Sequence, residues 1–195
     1  INIVDATNIE RNLYLTLQLL TLRVPTVIAL NMMDELSGNG GSVDVQKMCA
    51  EIGVPVVPTI SRTGEGVEEL FNRIIEVYEG RDKSVRHVHV NLGSDIEAGV
   101  RVLKDVLKQD KSIEAHFSPR YLAIKFLERD REVEQLLKET SSDYQTLTEL
   151  RDKEARRIER LYEEDITSAI ANEKYGYIAG ATTDYAQDET DTIAK

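Results

Sequence analysis

The first 80 residues alternate short apolar runs with stretches of helical period. Three runs are β-branched and almost continuously apolar: INIVD (1–5), PTVIALN (25–31) and VPVVPT (54–59). Runs of this length are typical of strands buried on both faces of a parallel sheet. The stretches that follow them repeat apolar residues at helical spacing and predict helices over 12–20, 43–53 and 66–80. This alternation predicts an α/β fold with a parallel sheet.

From residue 81 onward the pattern is helical. Apolar residues recur every three or four positions and predict helices over 95–109, 120–138 and 143–174. The other positions are filled with Glu, Lys and Arg, as expected of an all-α helical bundle domain. The acidic stretch 181–195 has no apolar period, which predicts a tail or linker.

Charge is distributed unevenly along the chain. Residues 1–80 carry 16 charged side chains, and all the others follow. This shift predicts two domains, 1–80 and 95–180, joined by a linker over 81–94. The net charge of −11 argues against a surface that binds nucleic acid phosphates. No apolar run reaches the ~18 residues that a membrane-spanning helix needs.

Two polar side chains, Asn31 and Asp34, follow the second predicted strand directly. In open α/β sheets, ligands bind beyond the carboxyl ends of the strands. An Asp carboxylate accepts two parallel hydrogen bonds, which guanine donates from N1–H and its N2 amino group, whereas adenine would leave the carboxylate unpaired. An Asn amide can donate to guanine N7. The alternative is structural: Asn31 begins a turn and Asp34 caps the next segment.

The loop after the next strand favours the nucleotide interpretation. The sequence PTISRTGEG (58–66) places a glycine-flanked loop between that strand and a helix. Neighbouring parallel strands end at the same edge of the sheet, so N–H groups of this loop can reach the same base. The two strand ends together predict a guanine-base pocket.

Five segments carry a family resemblance. They are INIVDATNIERNLYLTLQLL (1–20), ALNMMDE (29–35), VPVVPTISRTGEGVEEL (54–70), SPRYLAIKFLERDREV (118–133) and EKYGYIAG (173–180). The chain resembles a translation-factor-related small GTPase domain and, more narrowly, the cytosolic region of the ferrous iron transport protein B (FeoB) family. The second segment is similar to that family's guanine-specificity motif, the third to its base-contacting loop, and the last two to its helical domain. The resemblance implies part of a P-loop GTPase-like sheet followed by a helical domain that senses the nucleotide state.

The resemblance also implies contacts for individual residues. Asn31 and Asp34 would contact guanine, and Asp34 would select it. Met32 stands where most GTPases have a Lys, and would pack its apolar side chain against the base. The second loop would add contacts from Thr59, Ser61 and Arg62. No catalytic residue and no metal ligand is implied within this chain.

Other parts of the family pattern are absent from the sequence. The chain has no G-x-x-x-x-G-K-[ST] phosphate loop and no D-x-x-G motif; in the family these lie upstream and hold the phosphates and Mg²⁺. We therefore expect an N-terminally truncated fragment that hydrolyses nothing by itself. The implied ligands are GTP or GDP with Mg²⁺, and the implied function is GTP binding and hydrolysis that gates or drives Fe²⁺ uptake.

The resemblance further implies partners and a location. The partners are the membrane-embedded iron transport domain of the same protein and the missing N-terminal part of the GTPase domain; a homo-oligomer remains open, and nucleic acid is not expected. The parent protein would act at the cytoplasmic face of the plasma membrane, and the fragment alone would be soluble.

Alternative interpretations stay open at this point. His87, His89 and His116 suggest iron binding, but no nearby carboxylate or thiol completes a ligand set, so a surface or interdomain role is favoured. A non-enzymatic α/β plus helical interaction module is one alternative function. A soluble GTPase of ribosome assembly is another, which the acidic net charge disfavours.

Overall fold

The computed structural model describes residues 1–86, 88 and 90–188. The described residues form two compact units. The first unit comprises the described residues within Ile1–His89 and within Tyr177–Lys195. The second unit comprises Val90–Gly176. The predicted linker over 81–94 and the domain bounds at 80 and 95 stay predictions.

The first unit begins with alternating strands and helices. In chain order these are β1 (Asn2–Asp5), α1 (Ile9–Leu22), β2 (Ile28–Asn31), α2 (Met33–Gly38), β3 (Gly41–Val43), α3 (Val45–Ile52), β4 (Val56–Pro58) and α4 (Val67–Tyr78). The second unit is helical, with α5 (Ser94–Leu107), α6 (Lys111–His116), α7 (Pro119–Leu127), α8 (Arg131–Thr140) and α9 (Tyr144–Tyr162). The chain continues through α10 (Ile166–Tyr185) and β5 (Ala186–Asp188).

The three predicted strands form one parallel sheet in the order β1-β2-β4. Asn2 lies opposite Ile28, which in turn lies opposite Val56. The apolar residues of β2 and β4 pack against one face of α4 in a core of Val27, Ala29, Val57 and Leu70, bordered by Ile74 and Val77. The prediction of an α/β unit with a parallel sheet, followed by a helical domain, is confirmed. A second, antiparallel pair joins β3 to β5.

The helical unit is built around α5, α7 and α9, which pack against one another. Their facing stripes are fully buried and include Ile96, Val100, Leu103, Leu122, Phe126, Leu147 and Ile158. Helix α7 starts with Pro119 in its first turn, and the Ser118 hydroxyl accepts from the Tyr121 N–H. The buried Arg151 guanidinium lies 4.7 Å from the Phe126 ring centroid, a favourable cation–π contact.

Two stretches predicted as single helices are each divided, so those predictions were wrong in detail. The stretch 120–138 breaks at Arg129, whose φ is 58°, and Asp130 caps α8 by accepting from two backbone N–H groups. The stretch 143–174 breaks at Glu163, whose φ is 56°. A left-handed residue cannot continue an α-helix, and non-glycine residues in that region give little sequence signal.

The region predicted as an acidic tail is partly structured. Residues 181–188 form the end of α10 and β5, which corrects the tail prediction for that part, while 189–195 lie outside the described residues. The reason is a tertiary contact: Thr182 is buried, and its Oγ1 lies 3.1 Å from Glu10 Oε1. None of the helices in the described part of the chain combines the length and apolar character needed to cross a bilayer.

Candidate guanine-base site

Asn31 is the last residue of β2, and the chain turns immediately after it. Met32 adopts φ 65°, in the left-handed region, so that α2 starts at Met33 and Asp34 falls in its first turn. A bulky residue with positive φ is strained. The strained turn allows the side chains of Asn31 and Asp34 to reach the same neighbouring loop, as the following contacts show.

The loop after β4 is attached to Asn31 by hydrogen bonds. The Ser61 backbone N–H and hydroxyl both donate to Asn31 Oδ1, at 3.0 and 2.7 Å. Thr59 is 4% exposed, and its Oγ1 lies 3.3 Å from the same oxygen. Because a backbone N–H can only donate, the Ser61 contact identifies the atom that faces the loop as the amide oxygen. The Asn31 Nδ2 group is therefore the donor on the other side of the amide.

The Asp34 carboxylate faces the next residue of the same loop. Arg62 Nη2 donates to Asp34 Oδ2 at 2.9 Å, with the Arg62 side chain 79% exposed and that of Asp34 31% exposed. This hydrogen bond from Arg62 is the main cause that lowers the pKa of Asp34 below its ordinary value. A guanidinium presents adjacent N–H donors, as guanine does from N1 and N2. In this structure Arg62 thus satisfies the acceptor predicted to select the base.

Gly66 fixes the other end of the loop. Its φ is 77°, and a Cβ at this position would lie 2.0 Å from the Pro58 carbonyl oxygen. Only glycine permits α4 to start this close to the end of β4. A bridge between Ile60 and Glu65, whose N–H to carbonyl distance is 3.0 Å, closes the loop between them.

The structure brings all six predicted site residues to one edge of the sheet. Thr59, Ser61 and Asn31 are joined through the Asn31 amide oxygen, Asp34 and Arg62 form an ion pair, and Met32 forms the turn between them. Whether each residue contacts guanine stays a prediction. The N-cap residue of α2 is Met32, which makes no side-chain cap hydrogen bond, and Asp34 lies in the first turn.

Sequence reasoning missed two features of this edge. The Asp34–Arg62 pair carries no local signal because 28 residues separate the partners. Asp5, at the end of β1, lies in register with Asn31 and accepts from the Thr7 N–H and hydroxyl at 2.8 and 2.7 Å. The polar residues after INIV were a usable signal for this third strand end.

Metal binding finds no support in the part of the chain that the structure describes. Within residues 1–86, 88 and 90–188 there is no group of three or more His, Cys, Asp or Glu side chains placed to hold an ion. His116 ends α6, whereas His87 and His89 lie outside the described residues.

Sequence comparison matches both units to one family. The profile of the ferrous iron transport protein B family matches residues 1–74, and that of the FeoB cytosolic helical domain matches residues 93–187. A fusion protein of Fe(2+) transport protein A and Fe(2+) transporter FeoB from Porphyromonas gingivalis is 41% identical over 183 residues, covering 93% of this chain. The alignment covers 22% of that protein, so the chain spans about a fifth of the length of the curated relatives it matches.

Structural comparison gives the same family. A crystal structure of a GDP-bound NFeoB mutant from S. thermophilus superposes with a TM-score of 0.79 at 32% identity, covering 94% of this chain and 67% of that one. A GMPPNP-bound NFeoB mutant from the same organism gives a TM-score of 0.78 at 32% identity, covering 92% of this chain and 66% of that one. The site geometry, both family profiles and both superpositions agree, and the chain belongs to the ferrous iron transport protein B (FeoB) family.

Proposed function

We propose that this chain is the guanine-nucleotide-binding cytosolic portion of a ferrous iron transporter, whose binding and hydrolysis of GTP gate or drive Fe²⁺ uptake. The observation that carries the proposal is the meeting of Asn31 and Asp34 with the loop Thr59–Arg62 at one edge of the sheet. GDP and GMPPNP occupy the related NFeoB structures, which supports GTP and GDP as the ligands here.

The base is read by complementary donors and acceptors. Asp34 accepts from guanine N1–H and from the N2 amino group once Arg62 has moved away. Asn31 holds Ser61 through Oδ1 and donates from Nδ2 to guanine N7, so one amide both orders the loop and contacts the ligand. Met32 packs against the base. Adenine offers no N–H donors at these positions, so it would leave the Asp34 carboxylate desolvated and unpaired, which is unfavourable.

The phosphates and Mg²⁺ are bound elsewhere. The chain has neither the phosphate-loop nor the D-x-x-G sequence pattern, which hold the phosphates and Mg²⁺ in P-loop GTPases. The residues of this chain therefore serve base recognition, and phosphoryl transfer requires the upstream part of the GTPase domain.

The upstream part of the GTPase domain is the first proposed partner. Strand β1 pairs on one side with β2, and Ile1 and Ile3 are both 67% exposed. An exposed apolar strand edge is a place where another strand adds. The membrane-embedded transport domain is the second partner, which places the protein at the cytoplasmic face of the membrane; a homo-oligomer stays open.

Iron uptake by cells that produce the intact transporter tests this proposal. We expect Asp34→Ala to reduce Fe²⁺ uptake towards that of cells without the transporter, because nucleotide no longer binds. Glu35→Ala is the matched control, since it removes the neighbouring exposed carboxylate of α2. Uptake at the wild-type level by Asp34→Ala, with equal protein in the membrane, would refute the proposal.

A further inference from the structure

One face of α9 carries four cations. Lys153, Arg156, Arg157 and Arg160 stand at helical spacings of three, four and seven residues and therefore share a face. The opposite stripe of α9 is buried in the unit and includes Leu147, Arg151, Glu154, Ala155 and Ile158. We call the four cations the α9 cationic face.

The cations differ in how they are held. Arg157 Nε donates to Glu154 Oε2 at 2.8 Å and its Nη2 to the Asp95 carbonyl at 2.7 Å, so this guanidinium belongs to the fold. Lys153, Arg156 and Arg160 are exposed. Among the described residues, no Asp or Glu carboxylate lies within 4.0 Å of the charged groups of these three side chains. The Arg157 guanidinium, in contrast, has carboxylate partners within that distance.

The shape of the face suits small anionic groups. The four cations and Leu161 line an open cavity of about 570 Å³, and Leu161 is 58% exposed beside them. Seven residues of helix extend ~10 Å, so the charges form a short row flanked by one apolar side chain. Long cationic side chains with aliphatic stems, next to an exposed leucine, are the composition of helices that rest on lipid headgroups.

A cluster of cations stands out in a chain whose overall charge is strongly negative. A net charge of −11 repels anionic surfaces, and a nucleic acid would need a much larger basic surface. Each Lys or Arg close to an anionic membrane surface strengthens binding roughly fivefold, so a short row of cations attracts the headgroups. The relatives of this chain are named as Fe(2+) transporters, so in the parent protein a membrane is always near.

We propose that the α9 cationic face docks the helical unit on anionic phospholipid headgroups of the membrane that holds the transporter. Lys153, Arg156 and Arg160 supply the attraction, Arg157 stays in its contacts with Glu154 and Asp95, and Leu161 enters the headgroup region. This assignment goes beyond nucleotide binding and does not depend on which nucleotide the other unit binds.

Flotation of the chain with phospholipid vesicles tests the docking. We expect association with phosphatidylcholine vesicles that contain phosphatidylglycerol, no association with phosphatidylcholine alone, and loss of association at high ionic strength, where charges are screened. Replacing Lys153, Arg156 and Arg160 together by Gln should weaken binding roughly fivefold for each cation removed.

A second triple variant separates local charge from total charge. Arg101, Arg131 and Lys138 are exposed cations elsewhere in the same unit, and their joint replacement by Gln changes the net charge equally. We expect it to retain most of the binding. The proposal is overturned if phosphatidylglycerol does not increase the binding of the wild type, or if both triple variants lose binding equally. It is also overturned if the chain binds polyglutamate but not vesicles, because the α9 cationic face would then bind an acidic protein segment. Circular dichroism of both variants verifies folding.

Discussion

The Asp34 carboxylate is paired with Arg62, at 2.9 Å. Under the proposed function, guanine displaces that guanidinium, because both present N–H donors to the same acceptor. The pair is exposed, and exposed ion pairs contribute little to stability. Under the proposed function, Arg62 therefore competes with guanine weakly and reversibly.

Removing Arg62 should strengthen nucleotide binding. We expect Arg62→Ala to raise GDP affinity roughly 1.4- to 5-fold at low salt, the equivalent of an exposed ion pair, and the gain should shrink as salt screens the wild-type pair. Calorimetric titration of the protein extended by the upstream phosphate loop measures it. Arg81→Ala, which removes the guanidinium of the exposed Arg81–Glu79 pair beyond the far end of α4, is the control. A fall in affinity would mean that Arg62 contacts the base favourably instead.

The short connection between β4 and α4 requires glycine at position 66. A Cβ at Gly66 would meet the Pro58 carbonyl at 2.0 Å, whereas one at Gly64 would meet nothing within 4 Å although its φ of 82° is also positive. We expect Gly66→Ala to lower the free energy of unfolding clearly more than Gly64→Ala, which carries only a backbone strain of about 1 kcal/mol. Urea unfolding of the two variants makes the comparison, and equal losses would contradict the steric argument.

The junction of α9 and α10 gives a pH-dependent prediction. Burial, followed by the hydrogen bond to Glu173, raises the pKa of Tyr162 to about 12, from an ordinary value of 10.0. A raised pKa means that the contribution to stability is complete below pH 10 and is lost as the pH rises towards 12. We expect wild type to lose stability over that window more steeply than Tyr162→Phe, as measured by thermal unfolding. Parallel curves would contradict the assignment.

The strands with continuous apolar runs and the helices with apolar residues at helical spacing were predictable, because the burial of apolar side chains produces these sequence patterns. INIVD, PTVIALN and VPVVPT became β1, β2 and β4, since a parallel sheet needs continuous apolar runs. The helix breaks were not predicted, because Arg129 and Glu163 adopt positive φ without being glycine. Asp130 and Asp165 were usable signals, since each caps the helix that follows.

The site residues could be predicted from the sequence only where polar side chains directly follow a predicted strand. Asn31 and Asp34 stand directly after β2, so their proximity needs no tertiary information. The Asp34–Arg62 pair and the Thr182–Glu10 contact join residues far apart in sequence. Such contacts depend on the packed structure, and periodicity and local motifs give no access to them.

The whole molecule combines two units that both match the FeoB family. One unit carries the candidate base site, the other is a helical unit of the FeoB cytosolic type, and the phosphate-binding motifs are absent from this sequence. The central claim is that Asp34 reads guanine through two donors at N1 and N2. Xanthine keeps N1–H but has a carbonyl acceptor at position 2, which an Asn amide can pair with.

The most direct measurement is therefore a titration of GDP, ADP and xanthosine diphosphate into the extended protein, wild type and Asp34→Asn. Wild type should bind GDP roughly 5- to 150-fold more tightly than ADP, in line with the cost of an unpaired acceptor. Asp34→Asn should lose that affinity for GDP and gain affinity for xanthosine diphosphate. Equal binding of GDP and ADP by wild type, or an unchanged preference in Asp34→Asn, would contradict guanine recognition at the end of β2.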